Sequence, residues 1–239
     1  ESPAMRIRFA GADKGFAISR IENRLAGGQG FVDAPGNGEG FWSVTFAQTD
    51  SGTNVFTRLT SADVADKSVI RTPDGGARFF WQNMSLPGET NVADITATVS
   101  FDVDGASEWQ LEVQNRSSRW ALWRTIYPLL FRIMPEGDGD LLMPSKSLGA
   151  KVIRNYDSHM KTRKRFMHPS CYPPISAYMV GDAGLYFAAH DNDARIKETV
   201  FTVGMNAFFE TPVENAGVVG KAAEGPRYPV VIACFKGDW

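Results

Sequence analysis

Period-two alternation dominates this chain. Met5, Ile7 and Phe9 alternate with Arg6 and Arg8, and Trp42, Val44 and Phe46 with Ser43 and Thr45. Ile95, Ala97, Val99, Phe101 and Val103 alternate with Thr96, Thr98, Ser100 and Asp102. Trp109, Leu111 and Val113 alternate with Gln110, Glu112 and Gln114. Strand side chains point to opposite faces in turn, so each segment predicts a strand with one dry and one wet face. Turn residues punctuate the strands, among them Asn37-Gly38, Asp74-Gly75-Gly76 and Pro87-Gly88. Asp104-Gly105 lies between two alternating runs and predicts an antiparallel hairpin over 92–115. Further strands are predicted near 15–22, 67–71, 77–84, 121–134, 175–180, 184–190, 196–203 and 228–235. Helical signal is confined to 60–66, where Thr60 or Ser61 would cap one or two turns. The irregular, Lys/Arg/Pro-rich stretch 144–174 predicts a long loop over one sheet.

No long stretch of 3.6-residue period appears, which excludes a complete (β/α)₈ barrel. About a dozen short strands in 239 residues predict an all-β fold, a large antiparallel two-sheet β-sandwich, with residues 1–239 as one domain. Composition narrows the partners. With 25 Lys+Arg against 27 Asp+Glu, the formal charge of −2 removes the global electrostatic case for nucleic acid. The best candidate for a membrane span, 121–134, is interrupted by Arg124, Pro128 and Arg132, so no span is expected. Cys171 and Cys234 read as two buried thiols in preference to a bridge. The chain opens Glu1-Ser2-Pro3 without Met and ends on an apolar strand with no polar tail, so it reads as part of something longer.

Candidate chemistry is sparse. His190-Asp191-Asn192-Asp193 follows the strand Gly184-Leu-Tyr-Phe-Ala-Ala, with Lys197 shortly after. The plain reading is a polar turn. The functional readings are sugar-hydroxyl contacts through His190 and Asp191, or Ca²⁺ at Asp191 and Asp193, whose oxygens suit that ion. Apart from that Ca²⁺, no cofactor is expected. Glu136-Gly-Asp-Gly-Asp140 lacks the spacing of a calcium loop and reads as a turn. Lys161-Thr-Arg-Lys-Arg165 is the one basic run, with Tyr156, Phe166 and Tyr172 around it, and reads as a solvated loop or a patch facing another domain. Trp120 and Trp123 differ in strand parity, so they cannot both face the core. An exposed Trp123 would offer a flat platform for a sugar ring, against inter-sheet packing as the plain alternative. Gly-x-Ser-x-Gly, His-Glu-x-x-His, Walker and Cys-x-x-Cys motifs are all missing.

An ordered series of short matches adds a family. It begins with Asn23-Arg-Leu-Ala-Gly27, Gly40-Phe-Trp42 and Phe46. It continues through Trp109 to Asn115, Tyr127-Pro128 and Leu142-Met-Pro-Ser-Lys-Ser-Leu-Gly149. It ends with Tyr172-Pro173, Gly184 to Asp191 with Lys197, Tyr228-Pro229 and Phe235-Lys-Gly-Asp-Trp239. The series resembles the N-terminal β-sandwich (supersandwich, galactose mutarotase-like) domain of bacterial (β/α)₈-barrel glycoside hydrolases. The resemblance implies a non-catalytic domain packed on a C-terminal catalytic barrel that would follow Trp239, in a periplasmic or secreted bacterial protein. It implies carbohydrate as partner, with ligand contact at His190, Asp191, Tyr172, Trp123 and Lys197. A stand-alone carbohydrate-binding module, an aldose epimerase and a purely structural sandwich stay open as alternatives. Epimerase chemistry needs a His and a carboxylate on one face, and only His190 is placed for it.

Overall fold

A computed structural model describes residues 1–33, 40–49, 55–133, 139–145, 149–155, 163–170, 175–202, 206–212, 226 and 228–237. In chain order the strands are β1 (Met5–Phe9), β2 (Ile18–Asn23), β3 (Gln29–Asp33), β4 (Ser43–Gln48), β5 (Phe56–Thr60) and β6 (Asp66–Arg71). They continue as β7 (Ala77–Leu86), β8 (Glu89–Phe101), β9 (Ser107–Asn115), β10 (Trp120–Ile126), β11 (Asp140–Ser145) and β12 (Gly149–Ile153). The last six are β13 (Lys164–His168), β14 (Ile175–Val180), β15 (Ala183–Ala189), β16 (Lys197–Thr202), β17 (Asn206–Pro212) and β18 (Val230–Lys236).

The fold is all-β, as the alternation predicts. A nine-stranded sheet runs β12-β11-β14-β15-β18-β9-β8-β7-β6, and a six-stranded sheet runs β13-β16-β17-β10-β4-β5. The hairpin predicted over 92–115 is β8–β9, in antiparallel register from Ala93↔Asn115 to Phe101↔Ser107. The two large sheets face each other across an aromatic core. Phe187 of β15 stacks on Phe209 of β17 with centroids 4.5 Å apart, and Trp42 meets Trp81 of β7 edge-on at 5.4 Å. Phe41, Phe79, Trp81 and Trp109 are almost completely buried. Each such ring contributes about 1.5–3 kcal/mol through burial alone.

A third, three-stranded sheet β1-β2-β3 adds to the expected two. Its Phe9 packs on Phe79 and Trp109, and its Phe31 on Tyr178 of β14. Asn23 fixes it further. The Asn23 amide donates to the carbonyls of Gly184 and Phe235, while its oxygen accepts from the N–H groups of Leu25 and Ala26. Gly184 is needed where it stands, because a Cβ there would lie 2.0 Å from the Phe235 ring.

Four local expectations are corrected. Residues 61–65 form the connection between β5 and β6, with a turn at 61–63, because Asp63 accepts from the Thr60 N–H and hydroxyl, and the Ser61 hydroxyl accepts from Phe41 N–H and donates to Gly15 O. The helical turns among the described residues lie elsewhere, as 3₁₀ turns at Ala12–Lys14 and Arg24–Ala26. Strand 121–134 stops at Ile126, since Pro128 has no N–H to continue the ladder. The supposed loop 144–174 contains β12 and β13, each paired along one edge of a sheet. Val103 leaves the alternation and is fully exposed, because Asp102 binds the N–H groups of Asp104 and Ala106 and closes the turn early.

Candidate functional site

The outer face of the six-stranded sheet carries the chemistry. Inner and outer residues alternate on β17: Phe209 points into the core, so Phe208 and Glu210 point out. Glu210 nevertheless has only 3% of its side chain exposed. Three arginines cover it. Arg124 of β10 lies at 2.8 Å, Arg163 at 2.9 Å and Arg165 of β13 at 3.4 Å from its oxygens. The register explains the need for them. Glu210 stands directly opposite Glu198 of β16, and like charges facing each other across a ladder repel. Arg165 bridges the two carboxylates.

Glu210, Arg124 and Arg163 help to wall a cleft of about 360 Å³. Arg58, Arg124 and Arg163 supply its cationic side, and Ile126, Leu129, Phe131 and Phe208 its apolar side. Thr45, Thr202 and Asn206 add neutral polar groups. The Arg58 Nε donates to Ser43 Oγ at 2.6 Å, which sets the direction of its guanidinium. The Arg163 guanidinium lies 5.9 Å from the centre of the Phe208 ring, a cation–π contact.

Trp123 lies beside this region. β10 has a bulge against β4, with Leu122 opposite Phe46 and Arg124 opposite Thr45. The extra residue at the bulge is Trp123, which leaves the core and packs edge-on against Phe56 at 5.3 Å. Its exposure is 38%, whereas Trp120 is buried at 1%, so the two tryptophans do divide between surface and core.

The other predicted contacts lie elsewhere. Asp191 and Lys197 meet in a buried ion pair of 2.5 Å, with 4% and 2% of their side chains exposed. The Lys197 ammonium also donates to the Arg195 carbonyl and sits 4.8 Å from the Tyr228 ring. Asp191 accepts further from the N–H groups of Asp193 and Arg195. Burial pushes the Asp191 carboxyl up, but Lys197 and these N–H groups outweigh it and hold it below the usual carboxylate range. The Asp193 carboxylate pairs with Arg195 at 2.8 Å. The oxygens proposed for Ca²⁺ thus already have cationic and N–H partners. Among the described residues there is no group of three or more His, Cys, Asp or Glu able to hold a metal ion. His190 is exposed, with its Nε2 3.0 Å from the Tyr186 hydroxyl. Tyr172 lies outside the described residues.

Sequence reasoning passed over Glu210, Arg124 and Arg58 as site residues, and read Arg163 and Arg165 as part of a loop. Of the basic run, Lys164 and Arg165 open the edge strand β13 and Arg163 directly precedes it, while Lys161 and Thr162 lie outside the described residues. The available signal was Glu210, a lone acid directly after Ala207-Phe-Phe. Among the described histidines none shares the cleft with Glu210: His168 is buried against Thr199 on the sheet's inner face, and His190 directly follows β15 of the other sheet. Cys234 is a free, buried thiol, as expected, with its pKa pushed up to about 12 by burial; Cys171 lies outside the described residues. No helix among the described residues is long and apolar enough to cross a membrane.

No protein-family model and no curated protein matches the chain. Among solved structures it is similar to α-N-acetylgalactosaminidase NagBb from Bifidobacterium bifidum. A quadruple mutant of that enzyme matches with a TM-score of 0.61 and 10% identity, over 99% of this chain and 36% of that one. Its GalNAc complex matches with a TM-score of 0.59 and 11% identity, over 99% and 35%. At this identity the likeness is one of fold. The chain spans about a third of the length of these solved chains.

Proposed function

We propose that this chain is a non-catalytic β-sandwich domain of a carbohydrate-active enzyme, a glycoside hydrolase, that packs on a catalytic barrel and shapes the glycan cleft beside it. One observation carries the reading: the fold agrees over 99% of this chain with 36% of a glycosidase chain, the relation of a domain to a multidomain enzyme. Side-chain geometry agrees with it. Glycoside cleavage uses two carboxyl groups free to act on the bond, about 5–9.5 Å apart. The acids on the outer face, Glu210 and Glu198, are both engaged by arginines. In this reading the domain is N-terminal and the barrel follows Trp239.

Two measurements test the proposal. The coding sequence beyond codon 239 is expected to encode alternating strands and helices with carboxylates at strand C-terminal ends. A stop codon there overturns the placement of a barrel after Trp239. The purified chain is expected to show no turnover of aryl glycosides above buffer. Turnover that disappears on Glu210→Gln overturns the non-catalytic role.

A further inference from the structure

The cleft on the outer face of the six-stranded sheet has a charge balance opposite to that of the chain. The whole chain has a formal charge of −2. The cleft is lined by three guanidiniums, Arg58, Arg124 and Arg163, against one carboxylate, Glu210, an excess of two positive charges. The excess is built in. A buried carboxylate needs one good cationic partner, and Glu210 has three guanidiniums within 3.4 Å. Glu210 therefore acts as an anchor. It holds one edge of each guanidinium, and each guanidinium has five N–H donors in a fixed fork. Arg124 and Arg163 line the opening, each between two-fifths and one-half exposed. A planar, preoriented guanidinium at the mouth of a cleft suits an oxyanion better than a flexible ammonium does.

The rest of the cleft selects what carries the oxyanion. Phe208, buried and with the Arg163 guanidinium over its ring, forms with Ile126, Leu129 and Phe131 an apolar side for the C–H face of a pyranose. Thr45, Thr202 and Asn206 provide hydroxyl and amide partners for sugar hydroxyls. A volume of about 360 Å³ suits one sugar unit, at the lower end of ligand pockets. We propose that this cleft binds an acidic sugar, with the oxyanion on Arg124 and Arg163 and the ring against the apolar side. The proposal is independent of whether a barrel follows Trp239, but its sugar half rests on the carbohydrate reading above. Carboxylate and sulfate share the oxyanion chemistry, so both enter the test.

The test is titration calorimetry of the whole chain at low ionic strength with glucuronate, galacturonate, a sulfated galactose, neutral galactose, sodium acetate and sodium sulfate. Binding of at least one acidic sugar about tenfold or more tighter than galactose and than its free anion is expected. Arg124→Gln is expected to weaken it about tenfold, the effect of losing one charge-assisted hydrogen bond. Glu210→Gln keeps the shape but removes the charge that holds the guanidiniums in place, and is expected to weaken binding several-fold. Added salt is expected to weaken binding in all variants. Equal affinity for galactose and the acidic sugars overturns the proposal, as does absence of binding at millimolar ligand. Free acetate or sulfate binding as tightly as the sugars overturns the sugar half. Unchanged affinity in Glu210→Gln, with the variant shown folded by circular dichroism, removes this cleft as the site.

Discussion

Lys197→Met separates a structural role for the Asp191–Lys197 pair from a ligand-binding one. The ammonium lies 2.5 Å from Asp191 Oδ2, and neither side chain is more than 4% exposed. Coulomb's law at an effective dielectric of about 20 gives roughly 7 kcal/mol of gross attraction at that distance. Desolvating the two ions costs several kcal/mol each, so the intact pair adds little net stability. Breaking it is a different matter. Methionine fills the aliphatic volume but leaves the Asp191 charge buried with only N–H partners, at a cost of about 3–5 kcal/mol. For a domain of this size, that lowers the melting temperature by roughly 6–20 °C. Differential scanning calorimetry and urea unfolding of wild type, Lys197→Met, Asp191→Asn and the double variant form the assay. The double variant is expected to regain at least about 1 kcal/mol over Lys197→Met, because no charge is stranded. A single variant within about 1 kcal/mol of wild type, or a double variant that is the sum of its parts, refutes the reasoning.

The same pair predicts a pH dependence. The folded Asp191 pKa lies below its unfolded value, so its contribution is complete above about pH 4 and is lost as pH falls through the folded value. Urea midpoints measured from pH 6 down to pH 2 should fall more steeply in wild type than in Asp191→Asn. Trp120→Ala is expected to cost about 3–5 kcal/mol, as a buried aromatic, and Trp123→Ala less than about 1.5 kcal/mol, as a bulge residue packed on Phe56. Chemical denaturation of the two variants side by side checks this, and equal losses would contradict the assignment of faces. Peptide mapping after iodoacetamide treatment at pH 8 should find Cys234 unlabelled in the native protein and labelled in urea, since burial disfavours its thiolate.

The arginine-lined cleft and the buried Asp191–Lys197 pair came out differently from the sequence for one reason. A polar residue next to a strand looks the same whether it turns toward a ligand or toward a partner between the sheets. Asp191, Asp193 and Lys197 were recognisable as a polar group after β15, but their inward direction depends on where Tyr228 and the Arg195 carbonyl lie. Trp123 was recognisable as out of phase with Trp120, because strand parity is a local property. The bulge that places it beside Arg124 is a property of the β10–β4 pairing.

By itself, the sequence determined the all-β class and, for most of the strands that alternation marks, which face is dry. Alternation, turn residues and the scarcity of helical period are local signals, and they carry the all-β class, the β8–β9 hairpin and the aromatic core. The tertiary structure alone decided which strands became neighbours. Glu210 and Arg163 are 47 residues apart and meet because β13, β16 and β17 pair side by side. Neither residue has a local pattern that names the other. Strand pairing over such separations is selected by the fit of the whole core, and the charged face that results is written in no single segment of the chain.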